Sequence, residues 1–160
     1  MKTIDDLLLE VAKKLGVTPQ KINNPIKKLN LTAAKEIAYA VETAAEQMNV
    51  NAVIAVYDGG ANPILLHAMD DSYIASTRIA QDKAYTAVSL KMPTHMALRE
   101  SRGGSLDGLT NGNGIMLLAG GYPLEADGKV FGGVGVSGGT KDQDRLLAKL
   151  GSDYFKARMK

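Results

Sequence analysis

Two histidines, a lysine among small apolar residues and a run of closely spaced glycines are the parts of this sequence equipped for chemistry. The run "GGVGVSGGTKDQD", residues 132–144, sets Gly133, Gly135 and Gly138 in G-x-G-x-x-G spacing. That spacing cradles a dinucleotide when it joins a strand to a helix and a second parallel strand follows, with an acidic residue about 20 positions on. Only 22 residues follow Gly138, and a capped helix takes nearly all of them. No nicotinamide nucleotide is therefore expected. Gly133 and Gly135 instead fall two apart on one strand face, a bare strip that a helix or a ligand can approach closely. The amides of "SGGTKD" at the helix start suit a carboxylate or phosphate, but Thr140 is already placed to cap that end.

Lys83, in "QDKAYTA", is costly on a sheet-facing helix unless it is paired. It should salt-bridge to Asp58, Asp70 or Asp82, hold an anionic ligand or act as a base. Gly120 and Gly121 allow close backbone approach and expose amides. They are expected to form one wall of a pocket, with Lys83 and Arg102 supplying positive charge. His67 falls on the same strand face as Leu65 and Met69, and His95 follows Pro93 and Thr94. For each imidazole the alternative to a functional role is a partly buried strand histidine or a surface helix histidine. No Ser-His-Asp or paired-carboxylate spacing supports hydrolysis.

The elements that must hold these groups follow from periodicity. Ile4, Leu7, Leu8, Val11, Ala12 and Leu15 form one stripe of a short amphipathic helix that Gly16 can stop. In residues 17–29, Pro19 and Pro25 prevent a continuous helix, which makes the segment a connector. The helix before it must bury its face on the main domain, on a second subunit or on another protein. From Thr32 to Met48 the period is helical again, with Thr32 near the start as a cap. "AVIAVYD" reads as a strand covered on both faces, and "DGGAN" turns it into "PILLHAM" as a hairpin. Ser72 is placed to cap a helix to about Lys91, and "THMALRE" allows a short one. Residues 101–114 form a Gly-rich polar loop. "IMLLAGG" and a hairpin over 122–137 supply three more strands, and Thr140 with Gln143 opens the last helix with a capping box. Hairpin-joined strands predict an α+β domain with a largely antiparallel sheet.

Composition narrows the function classes. At 160 residues and 17.0 kDa the chain suits one domain, and a net charge of +2 cannot hold a polyanion by counterion release. With 5% aromatic residues and no Trp, stacking platforms are scarce, so nucleic acid is not an expected partner. Zero Cys excludes disulfides, iron–sulfur clusters and thiolate chemistry. Asp5, Asp6 and Glu10 oppose a signal peptide, and no stretch approaches the roughly 20 apolar residues of a membrane helix. A cytoplasmic protein with no membrane partner is expected.

Taken in order, "VYDGGANPILLHAMDD", "IAQDKAYTAV", "AGGYPL" and "GGVGVSGGTKDQD" resemble the GlcG/HbpS family, which includes the C-terminal domain of PduO-type proteins. The resemblance runs from about Leu31 to Phe155, with His67-Ala68 where the family usually has a hydrophobe or Ala followed by Arg, and Leu124 for Ile. It implies a profilin-like fold, an antiparallel five-stranded sheet flanked by helices, in a homo-oligomer. It also implies a small anionic or tetrapyrrole ligand, haem above all. His67 or His95 would then ligate the iron, with Met69, Met92, Met96 or Met116 as a second axial ligand, and Lys83 and Arg102 would face the propionates. Two further roles fit the family: an accessory enzyme of propanediol, glycerol or glycolate metabolism using Lys83 and a histidine, or a structural subunit. Residues 1–16, outside the resemblance, are similar to peptides that direct enzymes into bacterial microcompartments, which makes a shell or enzyme partner an expectation. The division is then 1–16 amphipathic helix, 17–29 connector and 30–160 family domain.

Overall fold

A computed structural model describes residues 2–159. Met1 and Lys160, which open and close the expected segments 1–16 and 30–160, lie outside the described residues. Helix α1 (Ile4–Leu15) starts at Thr3, whose hydroxyl accepts from the Asp6 amide while the Asp6 carboxylate accepts from the Thr3 amide. It ends at Gly16 in the left-handed conformation, φ +65°, where a side chain would be strained. The connector holds a single helical turn, α2 (Pro19–Ile22), with proline at the tolerant first position. Helix α3 (Leu31–Gln47) begins one residue earlier than expected because Asn30, rather than Thr32, caps it through the Ala33 amide.

Strands β1 (Val53–Asp58) and β2 (Pro63–Ala68) form the first hairpin, and helices α4 (Ile74–Leu90) and α5 (Thr94–Glu100) follow. Helix α4 begins after Tyr73 without a side-chain cap, so Ser72 does not take that role. The second hairpin joins β3 (Gly121–Ala126) to β4 (Lys129–Ser137) through Asp127 and Gly128, both at positive φ. A two-residue turn of that hand matches strand twist. Helix α6 (Lys141–Arg158) opens with the Thr140–Gln143 capping box.

All pairings are antiparallel, in the order β2-β1-β4-β3. The implied five-stranded sheet is thus corrected to four strands among the described residues. The missing strand is "IMLLAGG": the Met116 amide donates to the Thr86 hydroxyl and the Leu117 amide to the Asn111 side chain. Backbone donors satisfied in this way have no call on a neighbouring strand.

Helix α4 covers one face of the sheet. Gly133 and Gly135 clear its path: a Cβ at Gly135 would lie 2.0 Å from the Ala80 carbonyl oxygen, and one at Gly133 would lie 2.5 Å from that of Ala84. The bare strip therefore admits a helix. On the other face α3 and α6 bury Ile37, Val41, Leu147, Tyr154 and Phe155 against Ile54, Val56, Val134 and Val136. Helix α1 packs on α3 and contributes Leu7, Val11 and Ala12 to that same core, so its apolar stripe is covered within its own chain.

Candidate functional site

The sequence-predicted residues fall into three places. His67 lies on the edge strand β2, in register with Ile54 and, through it, with Val136. His95 lies on α5, beside Tyr122 of the opposite edge strand β3, their ring centroids 5.7 Å apart. Three inter-strand steps of about 4.8 Å separate the two edges by roughly 14 Å, so the two imidazoles do not converge. Lys83, Gly120 and Gly121 do meet, deep between α4 and the start of β3.

That meeting point is closed. The Lys83 ammonium donates to Asp144 Oδ2 and to the Val136 carbonyl, each at 2.8 Å, and the two side chains are only 3% and 6% exposed. Its partner is thus Asp144, in place of Asp58, Asp70 or Asp82. Asp144 Oδ1 also accepts the Gly139 amide at 2.8 Å, which ties the lysine to the start of α6. Burial lowers the Lys83 pKa and Asp144 opposes that shift. A Cβ at Gly120 would stand 2.9 Å from Lys83 Nζ, and one at Gly121 would stand 2.5 Å from the Lys83 carbonyl oxygen and from Thr94 Cγ2. The Gly121 amide donates to the Thr94 hydroxyl at 2.9 Å, and that hydroxyl donates to the Leu118 carbonyl. Thr94 thereby fixes the first residue of α5 to the first residue of β3.

His95 follows this fixed point. Its Nδ1 is buried and has no hydrogen-bond partner, an orphan that is expensive in a folded protein. Burial, then Arg145 and Arg99, hold its pKa below the ordinary histidine value, so at neutral pH it is an uncharged imidazole. Arg99 lies one helical turn along α5 and Arg145 comes from α6. Arg102 is exposed in the turn after α5, its amide bonded to the Arg99 carbonyl.

The sign of His95's contribution to stability follows. Below about pH 6.5 the unfolded chain takes up a proton that the folded state resists, so the unfolded state binds more protons and stability falls with acidification. His95→Gln is expected to flatten this decline between the ordinary histidine pKa and the lower folded value. Urea unfolding at a series of pH values measures it.

His67 is already partnered. Its Nε2 contacts Glu42 Oε2, Glu42 Oε1 accepts Lys14 Nζ at 2.8 Å, and the Tyr39 ring stands edge-on to the imidazole. Burial raises the Glu42 pKa, but Lys14 and His67 outweigh it and leave the carboxylate lowered. The adjoining cavity, about 370 Å³, is lined by Glu42, Glu46, Asp70 and Asp71, which would repel an anionic ligand. Met69 Sδ accepts the Ala52 amide. Among the described residues no cluster of three or more His, Asp or Glu could hold a metal ion. A metal carried in a macrocycle would need one protein nitrogen, and the uncharged imidazole of His95, in the positive field of Arg145 and Arg99, could offer Nε2.

Sequence reasoning missed Glu42, Arg99, Asp144, Arg145 and Tyr122. Arg99 was detectable from its i,i+4 spacing to His95; Asp144 and Arg145 become neighbours only through the fold.

The architecture defines a class: an α+β domain with one antiparallel sheet between helical layers and a half-buried imidazole on the helix beside one sheet edge. A family model described as "Haem degrading protein HbpS-like" matches residues 29–153, and the chain belongs to this GlcG/HbpS family. It is 46% identical over 130 residues to a 15.0 kDa protein from the dhaT-dhaS intergenic region of Citrobacter freundii, spanning 79% of this chain and 92% of that one. It is 32% identical over 117 residues to the corrinoid adenosyltransferase PduO of Salmonella typhimurium, spanning 71% of this chain but only 35% of PduO. Among solved structures, Klebsiella pneumoniae protein ORFY superposes with TM-score 0.76 at 41% identity, covering 82% of this chain and 93% of that one. A structure described as the PduOC:Heme complex superposes with TM-score 0.74 at 29% identity, covering 79% and 94%. No helix among the described residues is long and apolar enough to cross a membrane.

Proposed function

We propose that the chain binds haem or a related tetrapyrrole at the face around His95, as a homo-oligomer. The observation that carries this reading is the uncharged His95 imidazole, whose buried Nδ1 leaves Nε2 as the nitrogen that could meet a metal. A ring held neutral at physiological pH has a lone pair for a metal without first losing a proton. Arg145, and Arg99 shared with its partner Glu100, supply charge for the propionates, and Arg102 adds a further cation beyond the end of α5. The bound iron would supply redox and ligand-exchange chemistry. The chain's part is to orient the axial imidazole, through the Thr94 clamp on β3, and to neutralise the carboxylates. The family description and the haem complex of a relative support the same ligand.

Haem titration of the purified protein tests this. A saturable Soret shift is expected for wild type and for His67→Ala, with at least a tenfold loss of affinity in His95→Ala. An unchanged spectrum and affinity in His95→Ala would remove the assignment.

A further inference from the structure

A second site lies far from either histidine, where the connector crosses the start of α3 and the end of α6. A cavity of about 520 Å³ opens there, lined by Lys21, Lys27, Lys28 and Arg158 together with Pro25, Ile26 and Ala33. The one carboxylate in it, Glu36, is neutralised: Arg158 Nε donates to it at 2.8 Å, a second guanidinium nitrogen does so at 3.3 Å, and the Tyr154 hydroxyl donates at 3.1 Å. Arg158 and Glu36 are each 6% exposed on their side chains, so this pair is a fixed wall. Among the described residues, Lys21, Lys27 and Lys28 have no carboxylate within ion-pair distance. The cavity therefore carries about three uncompensated positive charges, on a chain whose whole formal charge is +2.

Like charges around one concave surface repel one another only weakly across water, and a multiply charged anion seated among them would contact all of them at once. The walls are also held in place. The Ile26 amide donates to the Arg158 carbonyl at 2.7 Å, and the Arg158 guanidinium donates to the Asn24 carbonyl at 2.8 Å. The lysines flank these bonds, so the connector presents them from a fixed backbone. We infer that this cavity binds a polyphosphate anion, the class whose charge at neutral pH matches three lysines and whose oxygens accept from ammonium point charges. Such a ligand would bridge the connector to the domain and hold α1 in its seat.

Calorimetric titration with inorganic pyrophosphate, at a fixed ionic strength of about 0.15 M to screen diffuse attraction, reads the site. One saturable site is expected in wild type and in the control Lys13→Gln, weakened at least tenfold in Lys27→Gln/Lys28→Gln. The exposed positions of these lysines make unfolding of the variant an unexpected result, and Lys21→Gln gives a second, independent loss. Equal affinity in the double variant, no saturation at millimolar pyrophosphate, or equal binding of citrate would each overturn the assignment. Haem binding at His95 is unaffected by these substitutions, so the two sites stand or fall separately.

Discussion

Replacing Gly135 with alanine is expected to destabilise the protein by about 3 kcal/mol or more, the upper range for forcing atoms into a packed core. The added Cβ would lie 2.0 Å from the Ala80 carbonyl oxygen and 2.6 Å from the Ala84 amide nitrogen. Both are backbone atoms of α4, so no side chain can swing away and the helix itself must lift off the sheet. Gly16→Ala provides the contrast: nothing lies within 4 Å of its Cβ position, and only the left-handed φ of +65° resists. That change is expected to cost about 1–2 kcal/mol. Chemical denaturation of the two variants beside wild type compares them, and equal losses would show that the α4–β4 contact yields readily to a methyl group.

Lys83→Met is expected to cost about 3–5 kcal/mol, because it leaves the Asp144 carboxylate buried without its cation. The loss should shrink when Asp144→Asn is added, since the amide carries no charge and can still accept the Gly139 amide bonded to Asp144 Oδ1. A double-mutant cycle by urea unfolding isolates the coupling. Additive losses would show that the lysine acts through packing rather than through the carboxylate.

Both predictions rest on features that the sequence shows unequally. The glycine spacing at 133 and 135 was legible as a bare strip, and the absence of a second parallel strand removed the nucleotide reading. That a helix, rather than a ligand or a subunit, fills the strip depends on how α4 returns across the sheet. Lys83 was legible as a group needing a partner, because burial penalises its charge wherever the helix packs. Its partner Asp144 is 61 residues away, and such a pairing follows from topology, not from spacing. The Thr140–Gln143 capping box was local and thus readable, whereas Thr32 and Ser72, of equally suitable residue type, do not cap their helices. "IMLLAGG" has the apolar content of a strand, but the hydroxyl of Thr86, one turn beyond Lys83 on α4, accepts its amide instead. At His95 the Arg99 neighbour was within reach of helical periodicity, while Tyr122 and Arg145 arrive from β3 and α6.

The bonds between Arg158 and the connector also govern the order of events during synthesis. Arg158 reaches back 122 residues to Glu36 and 134 to the Asn24 carbonyl. On the ribosome, α1 and α3 emerge early, yet the latch that holds the segment between them does not exist until the final turn of α6 has left the exit tunnel. Until then the connector lacks its anchor, and the N-terminal helix is held by its packing on α3 alone. Completion of α6 closes that interval by fastening the connector to the helix that follows the sheet.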